Sequence, residues 1–135
     1  MKQSPLIHAI RLIPGEDVKQ SLQNFVAAHN IHAGWVITCA GSLTEYNIRF
    51  ANQGDGSKGN GYFEMVSLTG PLSVAGSYVH ISVSDSTGKT IGGHLMDGCK
   101  VYTTAEIIIG ESSHLLFTRE KDGTTPWKEL QIKHR

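Results

Sequence analysis

The stretch SYVHISVSDSTGKTIGGHLMDG, residues 77–98, decides the fold. Val79, Ile81 and Val83 alternate with Tyr78, His80, Ser82 and Ser84. In a strand such alternation sends the first set to the core and the second to a more polar face. Asp85-Ser86-Thr87-Gly88-Lys89 is a strong turn signal. A three-residue hairpin loop uses a type I turn closed by a residue with positive φ, and Gly88 stands where that residue belongs. With residues 86–88 as the loop, Asp85 pairs with Lys89. Counting outward from that pair places His80 directly opposite His94. Directly opposed residues hold their Cβ atoms about 4.5–5.5 Å apart. Two imidazoles at that spacing can converge on one ion, since Zn–N distances are about 2.0–2.1 Å. A slip of one residue would send the two rings to opposite faces, so the assignment depends on the turn.

Gly92-Gly93, just before His94, marks either a bulge, which would shift the register, or a close approach by another backbone or ligand. The blander alternative is that the histidines are satisfied by ordinary hydrogen bonds and the glycines merely bend a strand. Spacing does not choose a third ligand. The candidates are Cys99, His32, Glu106, His114, a water, or a group from another chain. His32 lies at a helix-to-strand junction, where a capping or surface role is the simpler account. Glu106 alternates with apolar neighbours in a strand, where it can serve as ligand, general base or hydrogen-bond partner. His8, His29 and His134 are read as ordinary.

Around the hairpin, LIHAIRLI (6–13) reads as a first strand ended by Pro14-Gly15. Glu16-Asp17 then suits a helix N-terminus, and Val18, Leu22, Phe25 and Val26 form one apolar helical face running to about His29 or Asn30. AGWVITCAGSLT (33–44) and YNIRFA (46–51) read as two strands. NQGDGSKGNG (52–61) holds no apolar residue and reads as a mobile loop. Further strands are expected in 62–74, 77–85, 89–95, 103–111 and 113–120, and the polar tail 121–135 carries one alternating stretch. The expected architecture is α+β: a single domain, residues 1–135, with a largely antiparallel mixed β-sheet of about seven or eight strands and one main helix. Two β-prone runs, IIIGE (107–111) and SLTGPLSV (67–74), would aggregate if left on a sheet edge, so oligomerisation is expected to cover them.

The chain has 135 residues, 39% hydrophobic and 18% charged, which fits an ordinary globular domain. Lys+Arg and Asp+Glu are 12 each, so no basic excess is available for phosphate contacts. Two cysteines, Cys39 and Cys99, are too few for a disulfide framework. No secretory leader or membrane span is read, so a cytoplasmic protein with reduced thiols is expected. Phosphate-loop and dinucleotide motifs are absent, which argues against a nucleotide cofactor. Cys39, among apolar neighbours, reads as an inert thiol.

The run from Gly76 to Glu111, with its His80 strand followed by GGHLMDGC (92–99), resembles the PPC family, the plant and prokaryote conserved domain. AGWVITCAGSLTEYNIRF (33–50) and EMVSLTGPLS (64–73) match it too. The resemblance implies an α+β subunit assembled as a homotrimer. It also implies a metal, such as zinc, at the positions of His80 and His94 in some members. Members often carry another histidine two residues from the one matching His80; here those neighbours are Tyr78 and Ser82. Stand-alone prokaryotic members are described as predicted DNA-binding proteins. Plant members join the domain to AT-hooks, but no Arg-Gly-Arg-Pro core occurs here. That absence, with zero net charge, argues against direct DNA binding. Lys58, Lys128, Lys133 and Arg135 are what remains for phosphate contact. Three functions are therefore carried forward: a trimeric metal- or small-ligand-binding protein, a DNA-associated regulatory or oligomerisation module, and a metal-dependent enzyme with Glu106 as base.

Overall fold

Strand β1 (Leu6–Leu12) runs through Pro14-Gly15 into helix α1 (Val18–Ala28). The structure, a computed structural model, describes residues 4–135; residues 1–3, the start of the segment read for a leader, lie outside the described residues. Asp17 caps the helix from an extended conformation, its carboxylate accepting the Gln20 N–H at 3.0 Å. The other carboxylate oxygen accepts the Gly98 N–H at 2.7 Å. One side chain thus ties the helix start to a turn far along the chain. Val18, Leu22 and Val26 are buried, as their spacing requires, and Asn30 takes positive φ where the chain leaves the helix.

The sheet strands follow: β2 (Gly34–Arg49), β3 (Ser57–Thr69), β4 (Pro71–Leu72), β5 (His80–Ser84), β6 (Thr90–Leu95) and β7 (Lys100–Glu111). Their order is β1-β7-β2-β3-β5-β6, with β4 on β2. Strand β6 also returns to β2 through Ile48↔Leu95 and Arg49↔His94. Strands β2, β3, β5 and β6 therefore close into a ring, and β7 and β1 extend from the other part of β2. Among the described residues, β8 (Leu115–Glu120) and β9 (Glu129–His134) pair only with each other. Every pairing between these strands is antiparallel, in keeping with the largely antiparallel sheet expected. Ile48, Ile81, Val83, Leu95, Val101, Ile107 and Ile109 are fully enclosed and pack in one core with the apolar face of α1.

Several expectations change in detail. The two strands expected in 33–51 form one long strand, Gly34–Arg49. Irregular pairings near Val36, Gly41 and Leu43 bend it without ending it, as bulges do. The expected loop 52–61 is half strand: Ile48↔Ser57, Asn47↔Lys58 and Tyr46↔Gly59 are paired. A Cβ on Gly59 would stand 2.4 Å from the Tyr46 ring, so this glycine makes room for a partly buried aromatic. The IIIGE run lies in β7, flanked on both sides by β1 and β2, so its β-propensity is already satisfied within the chain. The alternating stretch in the tail forms β9, one of nine strands among the described residues, seven of them in the main sheet.

Candidate functional site

The turn at the tip of the β5–β6 hairpin is built by Asp85. Its N–H donates to the Lys89 carbonyl at 2.9 Å, and its carbonyl accepts the Gly88 N–H at 2.9 Å. Its carboxylate accepts the Thr87 hydroxyl at 2.6 Å, the Thr87 N–H at 2.9 Å and the Lys89 N–H at 3.1 Å. These bonds, the Thr87 hydroxyl foremost, hold the Asp85 carboxyl below its usual pKa. Gly88 has φ +83°, the left-handed conformation that the loop requires. From this turn the register runs unbroken, Ser84↔Thr90 through Ile81↔Gly93 to His80↔His94. The two imidazoles stand edge to face, with ring centroids 5.9 Å apart and planes 83° apart. Tyr78 lies 4.8 Å from the His80 ring and 5.5 Å from the His94 ring. The Arg119 guanidinium sits 5.7 Å over Tyr78, a cation–π contact.

Gly92 and Gly93 mark a close approach, with no bulge. A Cβ on Gly93 would stand 2.4 Å from the Arg49 carbonyl oxygen, and one on Gly92 2.8 Å from that of Ile81. Gly93 is where β6 meets the end of β2 and the ring closes. Closure lines up one cross-strand row: Arg49, His94, His80 and Thr69, from β2, β6, β5 and β3. Directly paired residues share a face, so a guanidinium and two imidazoles stand side by side.

His94 is half-buried, and its Nδ1 is enclosed without a hydrogen-bond partner among the described residues. Burial lowers its pKa, and the positive charges of Arg49, Lys19 and His80 lower it further. The neutral imidazole, the form that binds metal, is thereby favoured. Beside His94 lies a cleft of about 30 Å³ between α1 and the hairpin, lined by Lys19, Leu22, Gln23, Ser77, Val79, His94 and Leu95.

The other candidate ligands are placed elsewhere. Cys99 is fully buried, its thiol accepting the Asn47 N–H and donating to the Asn47 carbonyl, both at 3.4 Å. Burial pushes its pKa to about 11, so the thiolate a metal requires is disfavoured. Glu106 lies on β7 in register with Arg11 and Ala40, on the part of the sheet away from the hairpin, and accepts the Thr104 hydroxyl at 3.2 Å. His32 follows the helix, and its carbonyl accepts the Phe117 N–H. His114 shares a 3.2 Å hydrogen bond with Ser112 and stacks on His134. Cys39 is half-buried, with its pKa raised to about 11 by burial and then by Glu106, as expected of an inert thiol. Among the described residues, no three His, Cys, Asp or Glu side chains come together to hold a metal. The residues that sequence reasoning missed are Arg49 and Lys19. Arg49 follows the buried Ile48 in an alternating strand, which predicts its face; its neighbour His94 emerges only once β2 and β6 pair.

A family model, the Plants and Prokaryotes Conserved (PCC) domain, matches residues 2–113, and the chain belongs to that family. A hypothetical protein of Salmonella enterica is similar in structure, with a TM-score of 0.96 and 38% identity over 100% of this chain and 98% of that one. A metal-containing protein of Archaeoglobus fulgidus shares the fold, with a TM-score of 0.77 and 22% identity over 93% of each chain. The chain is also 38% identical over 127 residues to a Bifunctional protein GlmU of a Synechococcus strain. That match covers 94% of this chain and spans only 20% of the curated relative's length. No helix among the described residues is long and apolar enough to cross a membrane.

Proposed function

We propose that this protein binds a metal ion or small ligand at His80 and His94, as a homotrimer. The observation that carries this is the facing pair itself. Two imidazoles are held by a fixed hairpin register, and the buried Nδ1 of His94 has no partner among the described residues. A buried polar atom without a partner is costly unless something else satisfies it. The donor set suits a borderline metal such as zinc, which readily takes imidazole nitrogen. With two donors from one chain, the remaining positions fall to water, a bound ligand or a second copy. An open coordination position of that kind belongs to a site that takes an exchangeable ligand. The homotrimer rests on the family resemblance; exposed Leu6, Ile7 and Tyr102 offer apolar surface for subunit contact.

Metal analysis of purified protein tests the site. Zinc or another transition metal should be retained, lost on chelation, and absent from His80→Ala and His94→Ala variants. An unchanged metal content in both variants, or none in the wild type, would refute it. Sedimentation under the same conditions reads the assembly. A salt titration with duplex DNA separates this function from a nucleic-acid role: with balanced charge, no binding with a steep salt slope is expected.

A further inference from the structure

The cations around the histidine pair have a consequence of their own. Arg49 stands in the row beside His94, Lys19 lines the cleft with it, and Arg119 lies over Tyr78, which touches both histidine rings. None of the three forms an ion pair with a carboxylate; the ion pairs of the described residues are His8–Glu111, Lys100–Asp17 and Lys133–Glu120. In a chain whose charges balance overall, this is a local positive field without its counter-charge.

The cleft supplies the rest of a binding site. Leu22, Val79 and Leu95 give it apolar walls, while Lys19, Gln23 and Ser77 add polar groups. The Ser77 oxygen accepts the Ser73 N–H at 3.2 Å, so its own hydrogen remains to be donated. A volume of about 30 Å³ holds roughly two waters, or one oxyanion group with the remainder of its molecule outside. A lining ammonium and a hydroxyl donor beside a partly dry wall, with a second cation on the adjoining strand, are what an oxyanion needs.

We propose that the cleft between α1 and the hairpin, lined by Lys19 and His94 with Arg49 in the row beside His94, binds the oxyanion group of a small molecule, a phosphate or a carboxylate. The site goes beyond the metal function and does not require it, because Lys19 and Arg49 are set by the fold.

The test is calorimetric titration of the metal-free, chelator-treated full chain with inorganic phosphate, and separately with acetate, at constant ionic strength. Saturable binding of at least one probe is expected. Each of Lys19→Gln and Arg49→Gln removes a charge-assisted contact, so affinity should fall about 10- to 100-fold. Lys89→Gln, at the hairpin tip, should leave it within about twofold, as a distant surface charge does. Circular dichroism checks each variant's fold. If Arg49→Gln fails to fold, Lys19→Gln, a change at a partly exposed helix position, still decides the matter. No saturable binding of either probe by the wild type would overturn the proposal, as would equal affinity in the folded variants. Phosphate or acetate binding with no metal retention would defeat the metal function alone; metal retention with no anion binding would defeat this proposal alone.

Discussion

Substituting Gly93 by alanine tests the ring closure on which the site depends. The backbone at Gly93 does not have positive φ, so alanine is conformationally acceptable there. The obstacle is space: the added Cβ would meet the Arg49 carbonyl oxygen at 2.4 Å and the Ile48 side chain at 3.0 Å. A backbone oxygen in a paired strand cannot swing aside as a side chain can. Relief requires β6 to move off β2, disturbing the Ile48↔Leu95 and Arg49↔His94 pairs. Overpacking of this kind costs about 2–3 kcal/mol. With an unfolding entropy of about 2.1 cal/mol/K per residue, a chain of this length should lose about 7–11 °C in Tm. Gly88→Ala is the matched control. Nothing lies within 4 Å of its added Cβ, and only its φ of +83° opposes the change, so the cost should be about 1 kcal/mol. Urea unfolding of the wild type and both variants gives the comparison directly. A Gly93→Ala protein within about 0.5 kcal/mol of wild type, below the overpacking range, would show that β2 and β6 do not meet as described.

Asp17→Ala should cost about 3 kcal/mol in urea unfolding, since it removes both a helix cap and a buried charge-assisted bond to Gly98; a loss under about 1 kcal/mol, the size of a cap alone, would deny the tie to the β6–β7 turn. In metal-free protein, His94 should titrate below the ordinary histidine value because of burial first and Arg49 and Lys19 next. The unfolded chain then binds the proton more readily, so the stability from neutral His94 is fully present above about pH 6.5 and is lost as pH falls through its lower folded pKa. Stability profiles of wild type and His94→Asn between pH 8 and 5 should diverge in that sense, and parallel profiles would contradict it. Cys39 and Cys99, both with pKa near 11, should resist a thiol-modifying reagent at pH 8 until denaturant is added; rapid labelling of either would show an unrecognised opening.

The hairpin was legible because everything that sets it is local. Asp85 and Gly88 dictate the turn, the turn dictates the register, and the alternation of Val79, Ile81 and Val83 dictates the face. The helix was legible for the same reason, through the capping position of Asp17 and the apolar spacing that follows. What could not be read is non-local. Gly92-Gly93 announced a special feature, but whether it was a bulge or a close approach depended on where the end of β2 lay. The merging of two expected strands into β2 depended on its pairing with β7 up to Glu45 and with β3 on through Ile48, which together carry it across its irregularities. Cys99 and Glu106 were plausible ligands by residue type. One turned out to be enclosed in the core and the other lies on a different part of the sheet, distinctions that only tertiary contacts make.

The cations and the histidine pair also constrain each other. A divalent ion beside Arg49 and Lys19 meets repulsion that two neutral imidazoles do not offset. An oxyanion in the adjacent cleft supplies the missing negative charge, and it can itself occupy an open coordination position. If both sites exist, metal and anion must each strengthen the other's binding by the same factor, since coupling between ligands is reciprocal. Couplings of this kind span about 5- to 150-fold. Zinc affinity measured with a competing chromophoric chelator should therefore rise when sulfate, an oxyanion that chelates zinc poorly, replaces chloride at equal ionic strength. In Arg49→Gln and Lys19→Gln the repulsion is reduced, so zinc should bind more tightly in chloride and gain less from sulfate. Zinc affinity indifferent to the anion in all three proteins would mean that the cations do not act on the histidine pair.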